Sequence, residues 1–424
     1  MGERADVLVL GGGVIGLSCA YYLLRAGRSV RLLERGQVGG STSHGNCGTI
    51  TPSHAPPLAA PGVLAKALRW MFTPDAPLYI RPRADPALAA WLLRFAGRCN
   101  RHDWWASARA KGELLTVSRA LIEGLVRDDR LDCGFETSGL SYVYRDPRAM
   151  AVDRAGLDDL AALGIAARVL DGTALAAEEP ALLPGMAGAI HFPGDAQLRP
   201  DRYTAELARR VRELGGIIEE STSVTGLRVE SGRVVGVGSS QGHRDAGEVV
   251  AALGPWSGSL LKPLGLRLPI QPGKGYSMTW SRPSLAPRTA MVLREHSVCV
   301  TAWADGLRLG STMEFSGYDA TLNRRRLDAI ARAACGYLRE PTGAILQEEW
   351  FGWRPMSVDD LPLIGPVATT PGLWLATGHG MMGMGMSAVT GLLLADLLCG
   401  REPCVDPAAV SPARFQRPHP SAKH

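Results

Sequence analysis

Three glycine-rich stretches mark the places where this chain's backbone could meet a ligand. The first, Gly11-Gly-Gly-Val-Ile-Gly16, satisfies G-x-G-x-x-G at Gly11, Gly13 and Gly16. In that spacing Gly11 permits a sharp turn, Gly13 lets backbone approach a pyrophosphate, and Gly16 lets a helix pack closely on a strand. The second, Gly39-Gly-Ser-Thr-Ser-His-Gly-Asn-Cys-Gly48, carries three hydroxyls at 41–43 that can cap a helix or donate to phosphate. The third, Thr377-Gly-His-Gly-Met-Met-Gly-Met-Gly-Met386, precedes an apolar run and repeats the strand–glycines–helix design. A helix start there would turn free N–H groups toward an anionic or electron-rich group.

These stretches act only if regular elements hold them. Ala5 to Leu10 has the character of a buried parallel strand, Leu17 to Ala26 of a helix stopped by Gly27, and Ser29 to Leu33 of a second strand. Glu34 follows, eighteen residues beyond Gly16, placed to accept from a ribose 2′-hydroxyl. An acid there repels a 2′-phosphate, which excludes NADP. A second polar loop suits FAD, whose ribityl chain and isoalloxazine extend beyond the pyrophosphate, and no regular βαβ series follows as in NAD enzymes. The expected cofactor contacts are Gly11, Gly13, Val14, Ile15, Gly16, Glu34 and Arg35 in the first unit. Ser41, Thr42, Ser43, Asn46 and Gly48 come from the second. Val224, Gly254 and Trp256 form a middle group, and Gly378, Gly380, Met381, Met382 and Gly383 the last.

The 424 residues exceed one ordinary core, and 46% apolar with 21% charged residues is a globular balance. A net charge of +5 gives no reason to expect nucleic acid. Eight cysteines form no CxxC pair or metal spacing, so no metal site is expected and a reducing cytoplasm fits. Val7 to Leu24 is nearly uncharged, but its glycines argue against a membrane helix or leader. Residues 54–110 mix Trp70, Met71, Phe72, Trp91, Trp104 and Trp105 with Lys66, Arg69, Arg81, Arg83, Arg94, Arg98 and Arg101. That mixture suits an anionic membrane surface or a partner protein, and equally an inserted segment with core tryptophans. Within it Pro86 to Arg98 reads as a helix with Trp91 and Phe95 on one face. Later come a helix at 201–214, strands at 217–220, 224–230, 233–238 and 248–253, and a β-rich region from about 266 to 345. A strand at 373–376 and a buried helix at 387–398 close the series. The expected organisation is α/β: a Rossmann-like FAD-binding domain from 1–53, 150–265 and 350–424, interleaved with a β-rich substrate domain from 54–149 and 266–349.

Ser43-His-Gly-Asn-Cys-Gly48, Ala60-Pro-Gly62, Arg69-Trp-Met-Phe72, Lys274-Gly-Tyr276, Arg354-Pro-Met356 and Asp360-Leu-Pro362 together resemble the FAD-dependent D-amino acid oxidase superfamily. Within it they look most like the bacterial D-amino acid dehydrogenases that pass electrons to a membrane quinone. Gly378-His-Gly-Met-Met-Gly383, with Met384 where those dehydrogenases commonly carry Trp, looks more like the D-proline and hydroxyproline branch. The resemblance implies an enzyme acting on CH–NH or CH–NH₂ donors: an α-hydrogen leaves a neutral D-amino or imino acid as hydride to flavin N5, and the imine hydrolyses. It also implies that Arg354 holds the substrate carboxylate, a match of guanidinium fork to carboxylate. His379 would touch flavin or substrate, or be structural; Tyr276 would lie over the substrate, or be core. An Arg at 354, near the linking cysteine of covalent-flavin relatives, implies non-covalent FAD. A glycine- or sarcosine-type oxidase using O₂, and a flavin-binding subunit of a hetero-oligomer, are the alternatives. A quinone acceptor would bring peripheral contact with the inner membrane.

Overall fold

The computed structural model describes residues 5–71, 73 and 75–415. Phe72, Met1–Arg4 and the last residues of the expected cofactor domain, 416–424, lie outside them. Two large sheets organise the chain. The first is built on Ala5–Leu10, whose side chains are buried on both faces except Asp6, as a central parallel strand requires. Val30–Leu33 and then Ile217–Glu219 extend it on one side, Gly242–Ala251 and Leu373–Thr377 on the other, all parallel. Leu363–Pro366 closes that edge antiparallel. Val224–Glu230, Arg233–Ser239 and the start of Gly242–Ala251 form an antiparallel meander beside it. Helices Val14–Arg25, Pro200–Glu213 and Ser387–Leu398 pack into one core with Arg101–Asp128. Ser387–Leu398 is apolar nearly all round and mostly buried, as its composition requires. Val7 to Leu24 is thus a strand, a turn and a helix. Among the described residues no helix is long and apolar enough to cross a membrane.

The second sheet runs Leu346–Ser357, Ile270–Ser281, Gly306–Phe315, Val298–Trp303, Ala290–Leu293, Leu140–Tyr144, Gly188–Phe192, Arg168–Asp171, with Leu78–Ile80 joining Gly306–Phe315. Here the expected boundaries shift. Arg168–Asp171 and Gly188–Phe192, expected in the nucleotide layer, pair antiparallel with each other and onto Leu140–Tyr144. Leu346–Ser357, whose second half was expected there too, zips along nearly all of Ile270–Ser281. Strand composition alone does not say which sheet a strand joins; the pairing partners decide. The long helix Arg101–Asp128 was not expected. Its buried stripe (Ala108, Lys111, Leu114, Leu115, Ser118, Ile122, Leu125) has helical spacing, but a lysine and a serine interrupt the apolar pattern that reveals a helix. Pro86–Arg98 is helical as expected, capped by the Asp85 carboxylate accepting from Leu88 N, with Trp91 and Phe95 stacked at 5.2 Å. Trp91 is 5% exposed and donates to the Met356 carbonyl, so it is a core residue.

A short ladder, Thr49–Ile50 with Ala196–Gln197, joins the layers. Next to it Asp195, 1% exposed, accepts from Ser53 N at 3.0 Å and from Ser53 Oγ at 2.5 Å. Burial raises its pKa to about 7. The folded chain therefore holds this proton to higher pH than the unfolded chain, whose carboxyl ionises near 3.8. The sign follows: between those values the folded state binds more protons, so this group lowers stability as pH rises. Asp195→Asn mimics the protonated carboxyl. The FAD-loaded variant should melt at the same temperature as the parent below pH 4 and at a higher one above pH 7. Parallel melting curves across that range would contradict the assignment.

Candidate active site

A cavity of about 1490 Å³ opens between the two sheets, above the usual range of about 300–1,000 Å³ for a small-molecule site. At one end lies the first glycine turn. Gly11 has φ +102°, and a Cβ there would lie 2.6 Å from the Ala252 carbonyl oxygen. A Cβ on Gly16 would sit 1.9 Å from the Gly11 carbonyl oxygen, so only glycine lets helix Val14–Arg25 approach the turn. Gly13 faces the cavity with nothing nearer to its missing Cβ than Ser43 Oγ at 3.4 Å, leaving the cradle that a pyrophosphate needs. Glu34 Oε2 accepts from Gly12 N at 2.7 Å and Oε1 from Gly36 N at 2.9 Å. These bonds fix the carboxylate on the cavity wall with lone pairs to spare for a ribose.

The second loop meets this turn. Ser43 Oγ accepts from Val14 N at 3.0 Å, so it caps the first helix and keeps its own proton to donate into the cavity. Thr42 Oγ1 donates to the Trp353 carbonyl at 2.9 Å, tying the loop to the opposite sheet. Asn46 Oδ1 accepts from Gly48 N at 2.7 Å. Arg35 lies over Trp256 with its guanidinium carbon 4.0 Å from the ring centroid, and Val224 and Gly254 share that wall. Three expected contacts stand back from the wall. Gly16 and Gly48 are packing positions, a Cβ on Gly48 meeting the Leu198 carbonyl oxygen at 1.9 Å, and Gly378 turns the chain at φ +80°. The remaining residues of the set line the cavity.

The third turn differs from expectation in one respect. Residues Gly380, Met381, Met382, Gly383 and Met384 face the cavity, while the helix behind begins at Ser387. Ser387 N is bonded to the Met384 carbonyl and Val389 N to Ser118 Oγ, so these donors are spent inside the protein. The methionine-rich turn, rather than the helix start, faces the cavity. His379 Nε2 lies 3.0 Å from Thr390 Oγ1, which donates its own proton to the Met386 carbonyl. Nε2 must therefore carry the hydrogen. Burial lowers the ring's pKa to about 3, so it is neutral and no proton carrier near pH 7.

Arg354 is the cationic wall. Its guanidinium lies flat on Gly275, where a Cβ would be 2.3 Å from Nη1, and Nη1 donates to the Thr312 carbonyl at 2.6 Å. A register shift in the pairing of Gly306–Phe315 with Ile270–Ser281 aims that carbonyl, with Thr312 at φ +72°. Among the described residues no carboxylate pairs with Arg354. Burial lowers its pKa from the ordinary arginine value, with Cys47 and Cys299 as its charge-bearing neighbours. Strand alternation explains Tyr276. Gly275 and Ser277 face Arg354 and the Cys47 sulfur, so Tyr276 turns to the other face. There it is 1% exposed in the sheet's core and donates to Glu314 Oε2 at 3.0 Å. It also stands among the residues that line the cavity.

Several cavity residues have no motif in the sequence. Lys111 Nζ pairs with Asp360 Oδ2 at 2.5 Å, both nearly inaccessible, and Asp360 Oδ1 lies 3.0 Å from where a Gly380 Cβ would be. Asp360 also accepts from Leu58 N, so the pair fixes two loops around the cavity. Arg294 lines the wall but pairs with Asp153, and His54 meets the Tyr142 hydroxyl at 3.3 Å. Lys111 left a trace in the sequence as a charge inside an otherwise buried helical stripe, and Asp360 as the first residue of Asp360-Leu-Pro362.

A parallel sheet with a glycine cradle and ribose acid, facing a mixed sheet that carries a cation without a carboxylate partner, defines a dinucleotide-cofactor oxidoreductase. Residues 6–397 match the DAO family, described as FAD dependent oxidoreductase, and this chain belongs to it. It is 35% identical over 419 residues to a D-amino acid dehydrogenase of Chromohalobacter salexigens, covering 97% of this chain and 99% of that protein. A D-amino acid dehydrogenase of Cereibacter sphaeroides is also 35% identical, over 428 residues, covering 98% and 97%. Glycine oxidase from Geobacillus kaustophilus has the same fold (TM-score 0.79, 23% identity, 98% of this chain and 100% of that one). So does L-amino acid deaminase from Proteus vulgaris, at a TM-score of 0.73 and 21% identity over 98% and 95%.

The glycine cradle generates a prediction. Gly16→Ala forces helix and turn apart, an overpacking that costs roughly 1–3 kcal/mol. The variant should purify with a markedly lower 450 nm to 280 nm absorbance ratio than the yellow parent. From the parent, acid precipitation should release the flavin to the supernatant; colour left in the pellet would mean a covalent link.

Proposed function

We propose that this chain dehydrogenates a D-amino or D-imino acid whose carboxylate binds Arg354. The observation that carries the reading is a guanidinium on the wall of the cofactor cavity with no carboxylate of its own. A buried cation left unpaired is costly, and an anionic substrate supplies the missing partner. The D configuration rests on the names of relatives 35% identical over nearly the whole chain. FAD held by the glycine cradle, Glu34 and Ser43 would supply the hydride acceptor. The protein's part is to orient the α-carbon through a bidentate carboxylate contact and to exclude water behind the Met381–Met384 turn. His379 and His54, each held neutral by burial near a pKa of about 3, give no general base, and a neutral substrate amine needs none. Anaerobic mixing with D-amino acids, glycine, sarcosine and D-proline, followed by loss of flavin absorbance, tests the reading. Bleaching by glycine or sarcosine alone would favour the oxidase alternative. Arg354→Ala should lower kcat/KM by roughly 2–5 kcal/mol with flavin content unchanged, since the substrate anion loses its partner. Arg354→Lys keeps charge without the fork and should fall between. Near-normal kcat/KM in Arg354→Ala would move the carboxylate elsewhere.

The acceptor follows from the cavity mouth. Helix Val63–Met71 has no buried residue and exposes Leu64, Leu68 and Met71; Leu93 and Val152 stand beside them at 76% and 73% exposure. All five line the cavity, and Lys66, Arg69 and Arg94 are exposed around them. An exposed apolar mouth with Lys66 on it and Arg69 and Arg94 on the same helices, set beside Asp153 and Asp159, suits an anionic membrane surface and a quinone held in it. The protein should co-sediment with anionic vesicles, less at high salt, and Leu64→Asp with Leu68→Asp should abolish this. Equal binding to neutral vesicles, or none, would leave O₂ or a soluble carrier as acceptor.

A further inference from the structure

We propose that Cys47 and Cys299 form a reversible disulfide across the wall of the substrate cavity, making this dithiol a peroxide-responsive modification site. Cys47 belongs to the loop that comes from the nucleotide layer; Cys299 is on strand Val298–Trp303 of the opposite sheet. Cys299 is paired directly with Gly310 on the neighbouring strand. Paired residues on adjacent antiparallel strands carry their side chains on one face, Cβ to Cβ about 5 Å. Gly310 has no side chain, and the Cys47 sulfur fills that place, 2.4 Å from where its Cβ would be. Cys47 thus stands beside Cys299. Thr301 Oγ1 donates to the Cys47 carbonyl at 2.9 Å and fixes the loop at this spot. Both thiols are partly accessible and line the cavity next to Arg354.

The pair is asymmetric. The adjacent Cys299 thiol and the positive charges of Arg308 and Arg354 hold Cys47 below the ordinary thiol range, while Cys299 is pushed up. A stabilised, accessible thiolate is the one that oxidants attack first. The Cys47 thiolate attacks one oxygen of hydrogen peroxide, the O–O bond breaks, and hydroxide leaves to become water, giving a sulfenic acid. The Cys299 sulfur, losing its proton, then attacks the Cys47 sulfur and expels the second oxygen as water. Two thiols lose two electrons and two hydrogens, and one peroxide becomes two waters. Cys19 and Cys133 are buried, with thiols raised to about 12, so they do not compete.

The bond would fasten the 41–48 loop to the substrate sheet beside the carboxylate site. Its kinetic effect rests on the reading of Arg354, but the cross-link does not. The test treats FAD-loaded protein with a small molar excess of hydrogen peroxide, alkylates free thiols and maps peptides by mass spectrometry. The expected result is one linked peptide pair joining Cys47 and Cys299, lighter by two hydrogens, undone by dithiothreitol. With it KM should rise reversibly; a link without a KM change would count against Arg354 as carboxylate holder, not against the dithiol. Cys299→Ser should leave Cys47 as a sulfenic acid that dimedone captures. Oxidation confined to exposed Cys335, Cys47 joined to another cysteine, or Cys47 unlabelled by dimedone in Cys299→Ser would each overturn the proposal.

Discussion

The loop that brings Ser43 and Cys47 to the cavity is held by one buried cation that does not line it, Arg308. It is 2% exposed and donates to the carbonyls of His44 and Asn46 at 2.6 and 2.8 Å, to Thr279 Oγ1 at 2.9 Å and to Glu348 at 3.3 Å. Its side chain stands on the mixed sheet, and the carbonyls belong to the loop from the parallel sheet. A planar fork with five donors can serve four acceptors at once, which lysine cannot. Glu348 completes the set by meeting His44 Nε2 at 2.7 Å. With the Thr42–Trp353 and Thr301–Cys47 bonds, this clamp fixes the loop against the second sheet. With it, Ser43 is set against the first helix and Cys47 against Gly310.

That docking is why the substrate sheet has a polar face at all. Positions 275, 277, 279, 308 and 310 alternate to the loop side, and 276, 278, 307 and 309 to the core side. Glycine recurs on the loop side because neighbours lie on it: Arg354 covers Gly275 and Cys47 covers Gly310. Gly45 repeats the arrangement from the loop, with Trp350 flat against it. The glycine richness of this chain thus has two sources, turns with positive φ and flat backbone on which a side chain must lie.

The same distinction decides how much was legible in the sequence. The first nucleotide unit was readable because its logic is local: strand, turn, helix, strand and acid follow within thirty residues of one another. Glu34 and Ser43 stood out for that reason, and the cofactor class with them. What was not legible is long-range. Nothing near Arg168–Asp171 or Gly188–Phe192 says that they pair with Leu140–Tyr144 rather than join the parallel sheet. Tyr276 adjoins a motif and could be read as a substrate contact or as core; only the fold shows that it packs in the sheet's core and also stands at the cavity. Arg354 was named through resemblance. Its lack of a carboxylate partner, the property that gives it chemistry, exists only in three dimensions.

The cavity's charges can be ranked by how completely the protein answers them. Lys111 is matched by Asp360 at 2.5 Å, and Arg294 by Asp153, which also accepts from the Tyr144 hydroxyl. Behind the cavity wall, Arg308 has Glu348, Thr279 Oγ1 and two carbonyls. Arg354 has one carbonyl, Thr312, and two thiols. A buried cation short of partners is a cost the fold bears unless something else uses it. Lys111, Arg294 and Arg308 carry structure because their partners are built in, while Arg35 and Lys66, which also line the cavity, lie over the Trp256 and Trp70 rings. Arg354 keeps most of its donors open, and its position between the methionine turn and the bulged strand aims them at the space a carboxylate would fill.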